Sequence, residues 1–281
     1  MCGTCGCGSE ENGVIIQKPK EGKAHQHDHA HEHGHDHHHT HGHDHHHGEG
    51  HSHSHDHFHG HHHTTVLEVE QDILQHNEVM AARNRGYFDA KHIFALNLVS
   101  SPGSGKTALL ERTLQDLKNE LSFYVIEGDQ QTLNDANRID ALDIPVIQIN
   151  TGKGCHLESD MVYEAVKKLD IKDNAILMIE NVGNLVCPSM FNLGESKRVV
   201  IISTTEGVDK PIKYPDMFHT SDICIINKID LLPYLNIDIS KLKEYALQVN
   251  PNLQFFEISA TTGEGMEAWY TWLKENNKSS I

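Results

Sequence analysis

The sequence predicts an α/β protein built on a doubly wound, mostly parallel sheet, and two observations lead to this fold class. Several short segments are continuously apolar and rich in β-branched residues, and stretches of helical length separate them. These segments are 93–99, 122–127, 146–149, 175–180, 197–203, 222–227 and 254–258. Strands have this composition when helices cover both faces of a parallel sheet. In such a fold, ligands bind at the carboxyl ends of the strands.

The uneven composition divides the chain into a tail and a domain. Of 26 histidines, 22 lie within the tract 25–63, and three cysteines lie within residues 2–7. Residues 1–63 contain too few apolar side chains to form a core, so we predict a disordered, metal-binding tail there. Residues 64–281 have the composition of one folded domain and are long enough to bury a single core.

The domain is predicted to begin with a helix over residues 65–85. Thr65 and Glu68 form a capping box at its start, and Gly86 provides a stop signal. Apolar residues follow the cap with helical spacing: Val66, Val69, Ile73 and Met80.

Charge and hydropathy exclude two classes of protein. The formal charge is −17, whereas a nucleic-acid-binding protein presents a basic stripe to phosphates. The longest uninterrupted apolar run, 175–179, has five residues, and a membrane-spanning helix needs about 20. No apolar leader follows the first methionine. Six cysteines favour metal binding or catalysis over a disulfide scaffold, so we expect a cytoplasmic protein. From its charge and hydropathy we expect no nucleic-acid or membrane partner.

A glycine-rich turn follows the first predicted strand of the domain and precedes a helical stretch. The turn is Ser100-Ser101-Pro102-Gly103-Ser104-Gly105-Lys106-Thr107. Backbone N–H groups in such a turn, together with the N-terminus of the helix, bind phosphate oxygens. Lys106 is expected to reach the β- and γ-phosphates, and the Thr107 hydroxyl to bind Mg²⁺. Ser100 replaces the first glycine of the usual pattern, and the alternative interpretation is a simple turn between a strand and a helix.

A second motif, directly after segment 222–227, identifies the base as guanine. The motif is Asn227-Lys228-Ile229-Asp230. Guanine presents two adjacent donors, N1–H and N2–H₂, which one carboxylate accepts together and which adenine lacks, so Asp230 is the expected acceptor. Asn227 is expected to bond the base and brace the loop, and the Lys228 stem to cover the ring. Ser259 and Ala260 are expected to support the guanine with main-chain N–H groups. The motif favours GTP over ATP, the alternative being a surface turn.

Acidic residues at two strand ends are candidate magnesium ligands. Glu180 ends segment 175–180, where a carboxylate binds Mg²⁺, usually through water. Gly183 can bring a backbone N–H to the γ-phosphate. Asp129 ends another strand and is a candidate ligand of the metal or of the attacking water. For each acid the alternative is a solvated charge at a strand end. No glutamine stands out as a water-positioning residue, so we expect slow GTP hydrolysis.

Two segments of the tail predict metal binding. Cys2, Cys5 and Cys7 place three thiols on a glycine-rich stretch that can fold around one soft or borderline ion. Imidazoles of the tract 25–63 bind Ni²⁺, Zn²⁺ or Cu²⁺, and the interleaved aspartates favour the gathering of divalent ions. We interpret the tract as a store, the alternatives being an affinity tag or an inert tail.

A further metal site is predicted in the domain. Cys155 and His156 are adjacent and follow a glycine-bearing turn, and Cys187 lies 32 positions further along. These three ligands leave a tetrahedral site one short, so water or a second subunit completes it. The alternative is a buried thiol beside an unrelated histidine. Because Cys187 lies at most about 14 Å along the chain from Gly183, a loop that senses the γ-phosphate can move a metal ligand.

Together these motifs resemble the HypB family of hydrogenase-maturation nickel-incorporation GTPases, in the dimerising signal-recognition-particle/Min-type branch of phosphate-loop (P-loop) NTPases. The resemblance covers nearly the whole chain, and the terminal cysteines combined with the Cys-His pair and the distant cysteine are its specific part. Its residues are Cys2, Cys5, Cys7, the tract 25–63, 103–107, 127–129, Cys155, His156, 180–183, Cys187 and 227–230.

The resemblance implies a set of ligands and partners. The terminal cysteines are expected to form a high-affinity nickel site, and Cys155, His156 and Cys187 a weaker site for nickel or zinc. A GTP-dependent homodimer is expected to form near this second site. Nickel is expected to pass, with a small nickel metallochaperone, to the precursor of a [NiFe]-hydrogenase large subunit.

Two other functions remain open. A urease-accessory nickel GTPase has a similar domain and differs in the enzyme that it serves. A passive nickel or zinc store with a vestigial nucleotide site has the same metal ligands. The intact Lys106, Thr107, Asn227 and Asp230 argue against the passive store.

Overall fold

The computed structural model describes residues 14–19, 66–130 and 134–279. Strands in these residues form a single sheet in the order β1-β4-β3-β5-β2-β6-β7-β8, where β1 and β4 are antiparallel and the other neighbours parallel. The strands are β1 (Ile15–Gln17), β2 (Phe94–Ser100), β3 (Phe123–Asp129), β4 (Val146–Asn150), β5 (Ile176–Glu180), β6 (Lys197–Ser203), β7 (Ile223–Asn227) and β8 (Gln254–Glu257). The helices are α1 (Val66–Ala90), α2 (Lys106–Leu117), α3 (Asn134–Asp140), α4 (Ser159–Leu169), α5 (Lys210–Lys213), α6 (Pro215–His219), α7 (Ile239–Val249) and α8 (Met266–Ser279).

Helices cover both faces of the sheet, which confirms the predicted fold class. All residues of β2 are buried, yet Leu96 and Leu98 belong to one apolar cluster and Ala95 to another. The first cluster is completed by side chains of α2, α3 and α8, and the second by side chains of α1 and α4. Because successive strand residues point to opposite faces, each face has its own core.

Helix α1 differs from its prediction at the carboxyl end. We predicted an end at residue 85, before Gly86, but the helix continues to Ala90. Gly86 does not adopt a positive φ, so it does not end the helix; the left-handed residue is His92, with a φ of 53°. Phe88 explains the extra turn, since its side chain is 1% exposed and packs in the core. Neither α1 nor another helix of the described residues is long and apolar enough to cross a membrane.

One strand lies inside the segment that we predicted as a tail. Residues Ile15 and Gln17 of β1 pair with Asn150 and Gln148 of β4. The Ile16 side chain packs against the core, and its carbonyl accepts a bond from Lys168 Nζ at 2.8 Å. An apolar run of three residues is too short to show the two-residue period of a strand. The strand forms because it pairs with the edge of β4. The other residues of the predicted tail, 1–13 and 20–63, lie outside the described residues.

The sheet order places the predicted site residues together. Strand β2 lies between β5 and β6, so the loop after β2 opens at the point where the chain changes direction across the sheet. Ligands of doubly wound folds bind at this position, beyond the carboxyl ends of the strands. Glu180 ends β5, Asp129 ends β3 and Asn227 ends β7, so these residues reach the same edge.

Arg198 is a buried charge that holds the loop after the Cys187–Ser189 turn. Its side chain is 7% exposed and forms an ion pair with Glu195 at 2.8 Å. The guanidinium also donates to the carbonyl oxygens of Ser189 at 3.0 Å and Phe191 at 2.9 Å. Every donor group therefore has a partner, which a buried arginine requires.

We expect Arg198→Met to lower the free energy of unfolding by about 3–5 kcal/mol, because the variant leaves the Glu195 charge buried and unpaired. Urea unfolding followed by circular dichroism measures the loss. Lys197→Met is the matched control, since Lys197 is the preceding residue of β6 and its ion pair with Asp222 is partly exposed. The control is expected to lose less than about 1 kcal/mol. Equal losses in the two variants would contradict the prediction.

Candidate nucleotide and metal sites

The predicted phosphate loop joins β2 to the N-terminus of α2 and borders a cavity of about 350 Å³. Gly105 takes a φ of 90° at the start of α2, and a Cβ there would lie 2.5 Å from Asn227 Nδ2. Glycine is therefore required at this position by both the backbone conformation and the space. Ser104 is fully buried, and its hydroxyl has no hydrogen-bond partner. The cavity is lined by residues 100–108, Asp135, Arg138 and Gly183.

Lys106, Thr107 and Glu180 form one polar cluster at the floor of this cavity. Glu180 Oε1 accepts bonds from Lys106 Nζ at 2.8 Å and from Thr107 Oγ1 at 2.6 Å. Glu180 is fully buried and Lys106 is 11% exposed. The carboxylate therefore holds the two groups that we predicted to bind the phosphates and the magnesium ion. Gly183 lies close by, since a Cβ there would be 3.4 Å from Pro102 Cα.

Glu127 and Asp135 join Glu180 in a group of carboxylates that can hold a cation. Glu127 and Glu180 are register partners on β3 and β5, and each has one carboxylate oxygen that is buried without a partner. Burial, the Glu180 charge and the Asp129 charge raise the pKa of Glu127 to about 9. Two acids opposite each other repel, so the residues fit a divalent cation.

The sequence analysis missed Glu127 and proposed Asp129 in its place. Within the described residues, Asp129 is outside the carboxylate group; its Oδ1 accepts from Gln130 N at 2.7 Å, and its carbonyl accepts from Thr151 N. Asp129 lies two residues further along β3 than Glu127, beyond the point where β5 ends at Glu180, so its register partner is Asn150 of β4 and not an acid of β5. A signal was present, because segments 122–127 and 175–180 both end in glutamate and neighbouring strands align such ends.

Asn227 braces the phosphate loop as predicted, and Lys228, which we predicted to cover the base, bonds to the same loop. Asn227 Nδ2 donates to the carbonyl of Ser104 at 3.0 Å, and Lys228 Nζ donates to that of Gly103 at 2.7 Å. Lys228 adopts a φ of 63°, a conformation that its N–H bond to Asn227 Oδ1 at 2.8 Å supports. The base-binding loop and the phosphate loop are thus one connected unit.

Asp230 offers the unpaired acceptor that guanine recognition requires. Its Oδ1 is buried and has no hydrogen-bond partner, and a buried acceptor of this kind is costly unless a ligand satisfies it.

The N–H groups of Ser259 and Ala260 do not point where we predicted. Ser259 N donates to the carbonyl of Glu264 at 2.8 Å, and Ala260 N donates to Asn227 Oδ1 at 3.2 Å. Both groups hold the loop together, so in this structure they are not free to support a base.

Cys155, His156 and Cys187 come together as predicted. One ligand atom from each lies within 4.8 Å of the others. The sulfurs are 2.7 Å apart, and Cys155 Sγ is 3.6 Å from His156 Nδ1. In a tetrahedral zinc site with Zn–S bonds of about 2.3 Å, two sulfurs are about 3.8 Å apart. The thiols must therefore separate by about 1 Å to hold an ion, a change that a rotation of one cysteine side chain or a shift of its loop supplies.

Two residues that the sequence analysis did not identify orient the His156 ring. Phe191 stacks on the imidazole with ring centroids 3.9 Å apart. The other ring nitrogen, His156 Nε2, is buried and lies 3.5 Å from Glu158 Oε1. A carboxylate beside the outer nitrogen favours the tautomer whose Nδ1 lone pair faces the thiols. The predicted ligands Cys2, Cys5 and Cys7 and the histidine tract lie outside the described residues.

Comparison with known proteins gives the family. Residues 94–257 match the family model described as CobW/HypB/UreG, nucleotide-binding domain. The hydrogenase maturation factor HypB of Rhizobium leguminosarum bv. viciae is 57% identical over 209 residues, which cover 74% of this chain and 70% of the relative. The chain belongs to the HypB family of hydrogenase maturation factors.

Two crystal structures of HypB proteins share the fold. HypB from Archaeoglobus fulgidus aligns with a TM-score of 0.68 and 38% identity, over 72% of this chain and 99% of that one. HypB from Helicobacter pylori, in complex with nickel, aligns with a TM-score of 0.68 and 38% identity, over 73% and 96% of the two chains. The family resemblance and the P-loop NTPase fold that the motifs predicted are therefore confirmed.

Proposed function

We propose that the protein is a GTP-hydrolysing nickel carrier for [NiFe]-hydrogenase assembly, in which the bound nucleotide alters the domain's metal site. One observation carries the proposal: the segment 180–187 begins at a carboxylate bonded to Lys106 and Thr107 and ends at Cys187, a member of the thiol-imidazole group. A change at the phosphate end of so short a segment reaches the metal end.

The nucleotide is GTP, because Asp230 offers a buried and unpaired acceptor to the two donors of guanine. Lys106 neutralises phosphate charge, and N–H groups at the start of α2 hold the phosphate oxygens. Thr107, Glu180 and Glu127, with Asp135 beside them, form the set that would hold Mg²⁺, which supplies charge neutralisation between the phosphates. Slow hydrolysis remains our expectation for this site.

The cargo is a nickel ion at Cys155, His156 and Cys187, with zinc as a second ion that these donors accept. The relative from Helicobacter pylori crystallised in complex with nickel supports this choice. In our proposal, Cys2, Cys5, Cys7 and the histidine tract collect and store nickel before delivery.

The partners in our proposal are those that membership of the HypB family implies. A second copy, joined in the GTP state, completes the three-ligand site. We place this contact beside Cys187, where Val186 and Met190 are 50% and 53% exposed. A small nickel metallochaperone assists delivery, and the hydrogenase large-subunit precursor is the recipient in the cytoplasm.

One observation supports a second candidate function. The family model that matches residues 94–257 includes UreG as well as HypB, so a urease-accessory role is the alternative recipient. A deletion strain that loses urease activity and keeps hydrogenase activity would favour it.

The test measures nickel affinity of the thiol site in two nucleotide states. In the serine-substituted chain, Cys2, Cys5 and Cys7 are replaced by serine, and the nickel–thiolate charge-transfer absorption reports binding at Cys155 and Cys187 without signal from imidazoles. Cys224 does not interfere, because it is fully buried and burial raises the pKa of its thiol.

We expect the nickel Kd with GDP to differ from that with a non-hydrolysable GTP analogue by at least about fivefold. Linkage requires the nucleotide affinity to shift by the same factor when nickel is added. A variant with both Cys155→Ser and Cys187→Ser in the same chain is the control and abolishes the absorption. Equal nickel affinities in the two nucleotide states would falsify the proposed coupling.

A further inference from the structure

Asn181 lies between the nucleotide site and the metal site. It directly follows Glu180, two positions before Gly183, and is fully buried. Its Oδ1 accepts the N–H of Val182 at 2.9 Å and the N–H of Leu157 at 3.1 Å. Leu157 is the residue after His156. One side-chain oxygen therefore joins the segment beside the phosphate loop to the segment that carries a metal ligand.

The amide nitrogen of Asn181 is connected by a chain of hydrogen bonds to the loop that follows Cys187. Asn181 Nδ2 donates to Asn97 Oδ1 at 3.2 Å, and Asn97 Nδ2 donates to Glu195 Oε1 at 3.1 Å. Glu195 pairs with Arg198, whose guanidinium holds the carbonyl of Phe191. Phe191 stacks on His156. Both loops of the metal site are thus anchored to one buried polar network that begins at Asn181.

Hydrogen bonds in this network are costly to break. The amides of Asn97 and Asn181 are fully buried, so a broken bond in this place leaves a polar group without water to replace its partner. A displacement of the segment 181–183 toward the γ-phosphate is therefore expected to pull the Leu157 N–H with it. Metal ligands hold an ion at fixed distances, so a shift of His156, the residue before Leu157, is expected to change the affinity.

We propose that Asn181 is a positioning residue that couples the two sites, and that the bond from Leu157 N–H to its Oδ1 carries the coupling. The inference rests on the proposed function and adds to it a route other than the chain from Gly183 to Cys187. Asn181 contacts neither nucleotide nor metal in this scheme.

The test compares two substitutions of Asn181 in the serine-substituted chain. The readout is the ratio of the nickel Kd with GDP to that with the GTP analogue. Asn181→Leu has a similar size and removes both hydrogen-bonding groups, so the ratio is expected to fall to within about twofold of one. Asn181→Asp keeps an oxygen for Leu157 N–H and is expected to retain a ratio of at least about threefold in the parental direction.

Asn250→Leu is the matched control. Its amide also holds backbone carbonyls, those of Phe218 at 3.1 Å and Ser221 at 2.8 Å, between α6 and β7. Loss of this amide is expected to lower the melting temperature and leave the ratio unchanged. If destabilisation alone caused the loss of the ratio, Asn181→Leu and Asn250→Leu would both lose it.

The outcomes separate this inference from the proposed function. A ratio of one in the parent serine-substituted chain overturns the proposed coupling and this inference with it. A parental ratio that persists in Asn181→Leu, or that is lost in Asn181→Asp as well, overturns this inference alone. If Asn181→Leu does not fold, the Leu157 amide of the unsubstituted protein decides by NMR. Its proton shift is expected to change between GDP and the GTP analogue, and a constant shift overturns the inference.

Discussion

Replacement of Asp230 by asparagine is expected to weaken GTP binding by about 100-fold or more, because each hydrogen bond to a charged group contributes about 1.5–3 kcal/mol. Guanine loses a charged acceptor for two adjacent donors, and an amide accepts only one of them. Xanthine carries a carbonyl in place of the N2 amine, so the new amide donates to it. We therefore expect the variant to bind xanthosine triphosphate more tightly than GTP, as measured by isothermal titration with each nucleotide.

Asp238→Asn is the matched control for this prediction. Asp238 caps the N-terminus of α7 and accepts from Ser240 N at 2.9 Å. Asparagine is an equally good cap, so GTP affinity is expected to stay within about twofold of the parent. If Asp230→Asn bound GTP as tightly as this control, the base would lie elsewhere.

The sheet was predictable from sequence because burial on both faces leaves a strong signal. All seven predicted segments are strands, with ends within two residues of the prediction, and 197–203 coincides with β6 (Lys197–Ser203). Where the signal was weak, tertiary contacts decided. β1 exists through its pairing with β4, and α1 passes Gly86 because Phe88 has a place in the core. Neither contact is visible in local periodicity.

The site was predictable where chemistry is tied to short motifs. The turn 100–107, the motif 227–230 and the pair Cys155 and His156 each lie at the predicted edge of the sheet, because these motifs occupy strand ends. Residues that act across strands were missed. Glu127 faces Glu180 only through the register of β3 and β5, and Asn181 reaches Leu157 only through the packing of two loops. The sequence shows that two predicted strands end in glutamate, but strand order and loop packing, which bring such residues together, are set by tertiary contacts.

Lys106 and Glu180 form an ion pair at the predicted phosphate site. Glu180 Oε1 accepts bonds from both Lys106 Nζ and Thr107 Oγ1. The carboxylate thereby keeps the Lys106 ammonium group in the cavity. When phosphates arrive, Lys106 exchanges one anionic partner for another, so little reorganisation is needed.

We expect Lys106→Ala to lower the rate of GTP hydrolysis by about 100- to 1000-fold at saturating nucleotide, since it removes a preorganised positive charge from the phosphates. Lys106→Met, which keeps the length of the side chain, is expected to give the same loss, because the charge and not the packing is responsible. Single-turnover release of phosphate measures the rate. Lys118→Ala is the control: Lys118 caps the carboxyl end of the same helix, and its amine donates to the carbonyl of Leu142 at 3.0 Å. A Lys106 variant that hydrolyses GTP at the rate of this control would contradict the prediction. A Lys106→Ala variant that has lost hydrolysis and still fully supports hydrogenase activation in cells would instead favour a passive store.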